Sequence, residues 1–347
     1  EIHHGHGINL TTQDKMEQNP IGMRQTGICI VGCGGYGAAH AASFNALDGV
    51  RLFFSSRDPA KASEYAGRFS GEALPSLEEA LLDDRVHGVV LCTPHHRHAE
   101  GAESVLRSGK SLLIEKPLSR SSAEGERIAG AAGASKGKLL IGENYAFLPA
   151  LGPLRAVLEG GGIGSPRAAR AVHRKKYSPS GWRLDRRLMG GGLLADMGPH
   201  YLRLLQVLLG PVRRVRLDAA RRPIEAMEGE SEFELSLELR DAETAVLEVS
   251  WARDWDRSIP TLFIEGSHGS MSYVMDAPSI VWRRDGRSET LPVETADPLG
   301  RRALARHFLE VVRGESEPAV GVAEGLWDMR VVEAAYRSLE SGIWEEP

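Results

Sequence analysis

The 347-residue sequence is poor in cysteine and in aromatic residues, and it has no long apolar run. Its three cysteines form no CxxC pair, and so sparse a set in a chain of this length is typical of a reduced, intracellular protein. We therefore predict a cytoplasmic location. No stretch reaches the roughly 18 consecutive apolar residues of a membrane-spanning helix, so we expect no membrane partner. The N-terminal segment lacks the apolar core of a secretory signal.

An excess of charge of one sign is also missing. Lys and Arg number 42 and Asp and Glu number 47, for a formal net charge of −5. This balance gives no reason to expect nucleic acid as a partner. The 39 glycines follow no G-X-Y repeat, which excludes a collagen-like chain. At about 150 residues per domain, the length predicts two domains.

The first twenty residues differ from the rest of the chain. His3, His4 and His6 could together bind a metal ion, but a disordered tail or an expression remnant over 1–20 is the simpler interpretation. We therefore predict no metal site and begin the first domain at residue 21.

Residues 21–143 alternate between short apolar runs and helix-compatible segments. Five strands are predicted, at 27–33, 50–56, 86–93, 111–117 and 138–144. Strands that alternate with helices are typical of βαβ units, so the fold class is α/β and this segment is predicted to be a doubly wound parallel Rossmann sheet. Ser76, with Glu79 three residues later, predicts the start of one helix.

The pattern changes beyond residue 143. Segments at 233–240, 244–252 and 261–274 alternate apolar and polar residues, which is typical of an antiparallel sheet with one solvated face. Helical patterns occur near 150–160, at 190–209, 301–313 and 322–341. We expect an α+β domain over 144–347 with a large, mostly antiparallel open sheet, and a last helix that packs back on the first domain.

A glycine motif follows the first predicted strand directly and precedes a helix: Gly32-Cys33-Gly34-Gly35-Tyr36-Gly37, which fits G-x-G-x-x-G. In this context the glycines allow a tight turn and a close approach of the backbone to a pyrophosphate, which the free N–H groups of the helix would bind. We predict that a dinucleotide contacts Gly32, Gly34, Gly35, Tyr36 and Gly37. The alternative is a glycine-rich turn without a ligand.

The end of the second predicted strand bears on the choice of cofactor. NAD-binding proteins usually carry an acidic residue there for the ribose 2′-hydroxyl, but this sequence has Ser56 and Arg57, with Lys61 nearby. Arginine makes charge-assisted, often bidentate hydrogen bonds to phosphate. The sequence therefore favours NADP over NAD. The alternative is that Arg57 is a solvated loop residue that contacts no cofactor.

Three residues with acid–base chemistry come next. Lys116 lies in Glu115-Lys116-Pro117 at the end of the fourth predicted strand, the edge at which parallel sheets bind ligands. Asp196 and His200 are four residues apart on one face of a predicted helix. An amine, a carboxylate and an imidazole together can move a proton. Alone, Asp196 and His200 are better explained as an acidic residue at a helix N-terminus and a hydrogen-bonded structural histidine.

Five motifs occur in a fixed order: Gly32-x-Gly34-x-x-Gly37, Thr93-Pro94 with His98, Glu115-Lys116-Pro117, Gly190-Gly191-Gly192, and Asp196 with Gly198 and His200. With them, residues 27–343 resemble the glucose–fructose oxidoreductase/inositol dehydrogenase (Gfo/Idh/MocA) family. The sequence carries Arg203 where many relatives have Asp, and the segment after the fifth predicted strand, 144–147, lacks their frequent arginine.

The resemblance implies an NAD(P)-dependent oxidoreductase that acts on a sugar, cyclitol or related polyol and forms a homodimer or homotetramer. It implies that Lys116 hydrogen-bonds the substrate oxygen and the cofactor, that His200 exchanges a proton with the substrate hydroxyl, and that Asp196 orients the pair. Further cofactor contacts are expected at Thr93, Pro94, His98 and Glu115.

Substrate contacts are predicted at Asn144, Tyr177, Trp182 and Arg183. Basic residues are dense at 173–177 and 183–187. A solvated strand face and a charged loop are the simpler interpretation of this charge. The alternative is an anionic substrate such as a sugar acid, a sugar phosphate or a nucleotide sugar.

Two other functions fit the same resemblance. A glycoside hydrolase would keep NAD bound and cleave its substrate by transient oxidation, and a sensor would bind the dinucleotide without catalysis. Within the enzymes, the sequence does not separate sugar oxidation from the reduction of a keto sugar or an imine.

Overall fold

The computed structural model describes residues 25–347, so the predicted tail and its three histidines lie outside the described residues. Two sheets organise this part of the chain, one of six strands and one of eight. No helix within 25–347 is long and apolar enough to cross a membrane. Over the same residues, no group of His, Cys, Asp and Glu side chains is arranged to hold a metal ion.

The first sheet is parallel throughout. Its strands are β1 (Thr26–Val31), β2 (Val50–Ser55), β3 (Glu72–Ala73), β4 (Gly88–Leu91), β5 (Ser111–Ile114) and β6 (Leu139–Ile141). The helices between them are α1 (Gly35–Asn45), α2 (Pro59–Arg68), α3 (Leu77–Leu82), α4 (His98–Arg107) and α5 (Ser122–Ala134). In the strand order β3-β2-β1-β4-β5-β6, the winding reverses between β1 and β4, which is where open α/β sheets bind ligands.

The strands of the first sheet are apolar because helices cover both of its faces. All residues of β1, β4, β5 and β6 are buried. The predicted doubly wound parallel sheet is therefore confirmed. The sequence pattern does not predict β3, because two residues are too few to show a period. The Ser76 hydroxyl accepts a hydrogen bond from the Glu79 amide at the start of α3, as predicted.

The second sheet is mostly antiparallel, as predicted. Its strands are β7 (Pro166–Arg174), β8 (Val212–Arg221), β9 (Glu232–Leu239), β10 (Ala242–Ser250), β11 (Leu262–Gly266), β12 (Gly269–Tyr273), β13 (Ser279–Arg284) and β14 (Arg287–Pro292). The strand order is β14-β13-β12-β11-β7-β10-β9-β8, and β7 pairs with β10 in parallel. The sequence does not predict β8, β13 or β14, because charged residues interrupt their apolar alternation.

One helix of the second part is buried on nearly all sides. The helices here are α6 (Leu151–Glu159), α7 (Arg186–Met189), α8 (Leu193–Leu209), α9 (Arg301–Arg313) and α10 (Val322–Ser341). Helix α8 packs between the second sheet and α10, and most of its residues are buried, including Asp196 and His200. A polar side chain on such a helix needs a partner inside the protein.

Helices α9 and α10 return to the first sheet. The ring of Phe308 on α9 lies edge-on to Phe44 of α1, with 6.2 Å between the centroids. On α10, the Glu333 carboxylate accepts a hydrogen bond of 2.7 Å from the Ser122 amide at the start of α5. Between these helices, the Val320 carbonyl accepts one of 2.8 Å from the Ile141 amide. The last segment of the chain therefore completes the packing of the first domain.

The variant Phe308→Ala tests the packing of α9 on α1. Phe308 is fully buried, so its truncation is expected to lower the free energy of unfolding by about 3–5 kcal/mol through the lost contacts and the cavity left behind. Denaturant unfolding measures the loss. Leu339→Ala is the control, because Leu339 on α10 is 46% exposed, and it should cost less than about 0.5 kcal/mol. Equal losses for both variants would contradict the packing of α9 on α1.

Candidate active site

The glycine turn between β1 and α1 has a crowded side and an open side. Gly32 has a φ of +106°, and a Cβ there would lie 2.7 Å from the Cys92 carbonyl oxygen. A Cβ at Gly37 would lie 2.2 Å from the Gly32 carbonyl oxygen. Both glycines therefore permit close packing of the turn. At Gly34 and Gly35 a Cβ would meet nothing within 4 Å, so this side of the turn is open to a ligand.

The groups around this turn fit a dinucleotide. The first turn of α1 has no acidic residue and no side-chain cap, so its N–H groups are left for an anion. The Tyr65 hydroxyl donates a 3.0 Å hydrogen bond to the Gly34 carbonyl and holds the loop in place. At the end of β4, the buried Thr93 Oγ1 has no hydrogen-bond partner among the described residues. A cofactor bound here would contact the turn, and Thr93 has a polar atom left to offer it.

Two residues predicted to touch the cofactor make hydrogen bonds within the protein that support the loops. His98 is fully buried, with Nδ1 2.8 Å from the Pro117 carbonyl oxygen and Nε2 2.9 Å from that of Thr93. The Glu115 carboxylate lies 2.6 Å from His40 Nε2 on α1. These contacts tie together the loops that follow β4 and β5. Pro94 precedes a short 3-10 turn over His95–Arg97.

The predicted ribose-binding residues lie at the end of β2 and on the first turn of α2. Arg57 and Lys61 are exposed there, and Ser56 is half-buried. The Asp58 carboxylate accepts a 3.1 Å hydrogen bond from the Ala60 amide and caps α2. This nearest acidic residue is therefore engaged in capping a helix.

Lys116 and Asp196 join the two domains through a buried ion pair. Lys116 Nζ donates to Asp196 Oδ1 at 2.6 Å and to the Asp196 carbonyl at 2.8 Å, one helical turn before His200. Burial alone would raise the pKa of Asp196, but Lys116, His95 and Arg183 hold it far below its ordinary value. Burial alone would lower the pKa of Lys116, but Asp196 raises it. Both groups therefore carry charge at neutral pH.

Arg183 and His95 complete the surroundings of Asp196. Arg183 Nε donates to Asp196 Oδ2 at 3.3 Å, and its guanidinium lies 4.3 Å from the centroid of the Trp182 ring. His95 Nε2 lies 3.8 Å from Asp196 Oδ1, and the His95 ring packs on Trp182. Burial lowers the pKa of His95 to about 3, so this ring is neutral. The sequence analysis missed His95, although it follows Thr93-Pro94 directly.

His200 is held by a carboxylate that the sequence analysis also missed. His200 Nδ1 lies 2.6 Å from Glu143 Oε1, which also accepts a 3.1 Å hydrogen bond from the Tyr145 amide. The Tyr145 ring stacks on the imidazole, with 4.6 Å between centroids. Because the carboxylate engages Nδ1, Nε2 is the nitrogen left to exchange a proton with a ligand. The signal for Glu143 is its position just after β6, at the ligand-binding edge of the sheet.

Tyr36 links the glycine turn to this cluster. Lys116 Nζ lies 5.9 Å from the centroid of the Tyr36 ring, and Tyr36 as a residue is 38% exposed. An amine over the face of an aromatic ring is attracted by the ring quadrupole. The predicted cofactor and proton-transfer residues therefore meet at Tyr36.

Arg203 also has a buried partner. Its Nη2 donates to Asp328 Oδ2 on α10 at 2.8 Å, and Gln206 Nε2 donates to Asp328 Oδ1 at 2.9 Å. Burial raises the pKa of Asp328 to about 6, although Arg203 and Gln206 oppose the shift. The basic residue at 203 is thus balanced by a carboxylate from another helix.

The four predicted substrate residues fall into two groups. Trp182 and Arg183 join the cluster around Asp196, as described above. Asn144 Nδ2 donates to the Leu299 carbonyl at 2.6 Å, and the Tyr177 ring packs on Trp251 at 4.7 Å between centroids. These contacts connect Asn144 and Tyr177 to other loops.

Much of the positive charge at 173–177 is neutralised locally. Arg174 lies 3.2 Å from Glu248, and Lys176 lies 2.8 Å from Asp254. An anionic substrate would therefore find less net charge on this strand than the sequence alone suggests.

Known proteins resemble this chain along most of its length. Residues 26–143 match the family described as "Oxidoreductase family, NAD-binding Rossmann fold", and residues 153–272 match the "GFO/IDH/MocA C-terminal domain". The chain belongs to the Gfo/Idh/MocA family. The resemblance expected from the five sequence motifs is thereby confirmed, and the chain is a member of an NAD-binding oxidoreductase family.

Full-length relatives of this Gfo/Idh/MocA protein include a sugar dehydrogenase. Levoglucosan dehydrogenase of Pseudarthrobacter phenanthrenivorans is 25% identical over 90% of this chain and 86% of the relative. A dTDP-3,4-didehydro-2,6-dideoxy-alpha-D-glucose 3-reductase of Saccharopolyspora spinosa is 35% identical over 46% of this chain and 48% of the relative. A solved structure of levoglucosan dehydrogenase with NADH and levoglucosan shares the fold, with a TM-score of 0.83 at 19% identity over 93% of this chain and 99% of that one.

A pair of substitutions tests the buried ion pair. Among the described residues, Lys116→Met leaves Arg183 as the close cationic partner of the Asp196 carboxylate, so we expect the free energy of unfolding to fall by about 3 kcal/mol. Lys116→Met/Asp196→Asn should recover part of that loss, because no buried charge then lacks its partner. Denaturant unfolding at pH 7 measures both. A double variant that is less stable than Lys116→Met would contradict this account.

Proposed function

We propose that this Gfo/Idh/MocA protein transfers a hydride between a nicotinamide cofactor and the carbinol or ketone carbon of a sugar, cyclitol or sugar derivative. The observation that carries the proposal is the 2.6 Å contact between Lys116 Nζ and Asp196 Oδ1, which brings a buried amine from the end of β5 to the helix that carries His200. Tyr36, which belongs to the glycine turn with the open side, lies next to the Lys116 amine.

Each residue then has a defined task in alcohol oxidation. The turn at Gly34 and Gly35 and the first N–H groups of α1 bind the pyrophosphate. The Lys116 ammonium stabilises the negative charge that develops on the substrate oxygen, and His200 Nε2 takes the hydroxyl proton. Asp196 keeps Lys116 charged and oriented. The bound nicotinamide supplies the hydride chemistry. Ketone reduction uses the same groups in reverse.

The relatives support a carbohydrate substrate. The name of the full-length relative describes the dehydrogenation of an anhydrosugar, and the half-length relative is named as a reductase of a nucleotide-linked keto sugar. We therefore propose a sugar or a sugar derivative. An anionic substrate would meet the exposed Arg186 and Arg187 on α7, which precedes the glycines at 190–192.

We also propose NADP as the preferred cofactor. Arg57 is exposed at the end of β2, and the nearest carboxylate, that of Asp58, caps α2. His96 adds support: burial lowers its pKa, and so do Arg97, Arg120 and Arg57, although Asp185 opposes the shift, so basic side chains outnumber acidic ones around this ring. The buried His96 Nδ1 has no hydrogen-bond partner among the described residues. A 2′-phosphate would suit this group of basic side chains.

The assembly and location of the protein are part of the same proposal. We propose a cytoplasmic homodimer or homotetramer. Partly exposed positions alternate with buried ones along β9 and β10, so one face of the second sheet has room for a second copy.

The function is tested by absorbance at the reduced-nicotinamide band. Purified protein with NAD or NADP is screened against levoglucosan and other sugars, sugar acids, inositols and nucleotide sugars. Lys116→Ala should lower kcat on the best substrate by at least about 10²-fold while reduced cofactor still binds. Lys138→Ala is the control, since Lys138 pairs with Glu317 at the surface. Release of free sugar with no net absorbance change would favour the hydrolase, and near-native turnover in Lys116→Ala would remove Lys116 from the mechanism.

Arg57→Ala tests the cofactor preference. Loss of a charge-assisted hydrogen bond to a 2′-phosphate should raise the Kd of NADP by about 10-fold or more and leave that of NAD within about 2-fold. Fluorescence titration of the reduced cofactors measures both. Arg68→Ala, on the outer surface of the same α2 helix, is the control. Tighter binding of NAD than of NADP by the unaltered protein would contradict the preference.

A further inference from the structure

A small cavity lies behind Lys116, on the inner side of the site. It is formed where the ends of β5 and β6 meet α8 and α10, and its lining includes Lys116, Glu143, Pro199, Asp328 and Met329. Its size is sufficient for about one water molecule. Two acidic residues, one from the loop after β6 and one from α10, therefore border the same small space.

The Glu143 carboxylate has one oxygen left over in this region. Its Oε1 is taken by His200 Nδ1 and by the Tyr145 amide, at 2.6 Å and 3.1 Å. Its Oε2 is buried and has no hydrogen-bond partner among the described residues. Glu143 as a whole is 1% exposed. A buried, unpartnered carboxylate oxygen is costly unless a water or a proton satisfies it.

Asp328 is the second carboxyl at the cavity, and it is incompletely neutralised. Arg203 and Gln206 on α8 each donate one hydrogen bond to it. Burial raises its pKa to about 6, and the charge of Glu143 contributes to the rise. Two like charges next to one small cavity favour a state in which the pair holds a proton.

We propose that a water in this cavity links Glu143 to Asp328, and that the ionised pair receives and then shares the proton that His200 takes from the substrate. Both residues act through His200 and are positioning residues that touch neither substrate nor cofactor. The proposal rests on the proposed function for the identity of the proton donor.

The proton balance in alcohol oxidation is simple. The substrate O–H bond breaks and a bond from hydrogen to His200 Nε2 forms, while the hydride leaves with its electron pair to the nicotinamide. The Nδ1–H bond of His200 then breaks, and the proton passes to Glu143. Through the cavity water, it passes on to the ionised Asp328 carboxylate. In reduction, each transfer runs in reverse and returns the proton to the substrate oxygen.

Charged, titratable and polar groups face this pair from the surrounding elements. Arg203 and Gln206 reach Asp328 from α8, and Lys116 borders the cavity from the end of β5. The phenols of Tyr145 and Tyr201 lie near Glu143. His200 faces Glu143 from α8. On α10 itself, the Glu324 carbonyl accepts from Arg203 at 2.8 Å. Oxidation through the pair requires Asp328 to be ionised, so kcat for oxidation should rise as the pH rises through about 6.

Infrared difference spectroscopy tests the pair without any substrate or cofactor. The unaltered protein should show a carboxylic acid C=O band that disappears as the pH rises through about 6. Asp328→Asn should abolish this band, and Glu143→Gln should shift its titration. Glu230 is another buried carboxyl with a raised pKa, so it could also give a carboxylic acid band. The band that Glu230→Gln removes is the one that Glu230 contributes. If no such band titrates in the unaltered protein, the proposal is overturned, whether or not the variants fold.

Kinetics on a sugar that the unaltered protein oxidises give the second readout. Asp328→Asn should lower kcat about 10-fold, leave KM unchanged, raise the solvent isotope effect and remove the rise of kcat through pH 6. Glu143→Gln combined with Asp328→Asn should cost no more than the larger single effect, because the two residues act as a unit.

Glu333→Gln is the matched control, since Glu333 lies on the same helix as Asp328 but pairs with Ser122. It should leave kcat and the pH profile unchanged. Effects of Glu143→Gln and Asp328→Asn that multiply would overturn the shared proton. Absence of any sugar oxidation by the unaltered protein would count against the proposed function, whereas persistence of the carboxylic acid band in Asp328→Asn would count against the pair alone.

Discussion

The buried ion pair between Lys116 and Asp196 is the constraint on which the site depends. It joins a loop at the end of a parallel strand to a helix that packs under a different sheet. Charges this deeply buried are tolerated only when their partners are correctly placed. The two domains therefore have one favourable arrangement at this point, and that arrangement brings His200 and the glycine turn into the same region.

Charge alternates through the buried site. Arg183 contacts Asp196, Asp196 contacts Lys116, and Glu143 contacts His200. Each acidic group has a basic neighbour, so the cluster stays close to neutral although little water reaches it. Such an environment strengthens electrostatic effects on a reacting oxygen, because fixed charges replace water that would otherwise have to reorganise.

Most of the first domain could be predicted from the sequence, because continuous apolar strands and glycine spacing are local patterns. The spacing of Asp196 and His200 and the position of Lys116 at the end of a strand also drew attention to the residues that the structure brings together. Glu143 and Asp328 could not be predicted in the same way. The role of each depends on a contact with a residue more than fifty positions away in the sequence. Glu143 contacts His200, and Asp328 contacts Arg203. The short β3 and the charged β14 were not predicted for a different reason: neither strand shows a clear period of apolar residues.

The return of α9 to α1 has a consequence for synthesis of the chain on the ribosome. Phe44 emerges early, but the ring that covers it, Phe308, is translated more than 250 residues later. Until then, the nascent N-terminal half exposes an apolar helix surface in the cell. Chaperone binding to this surface would protect the growing polypeptide from aggregation during that interval.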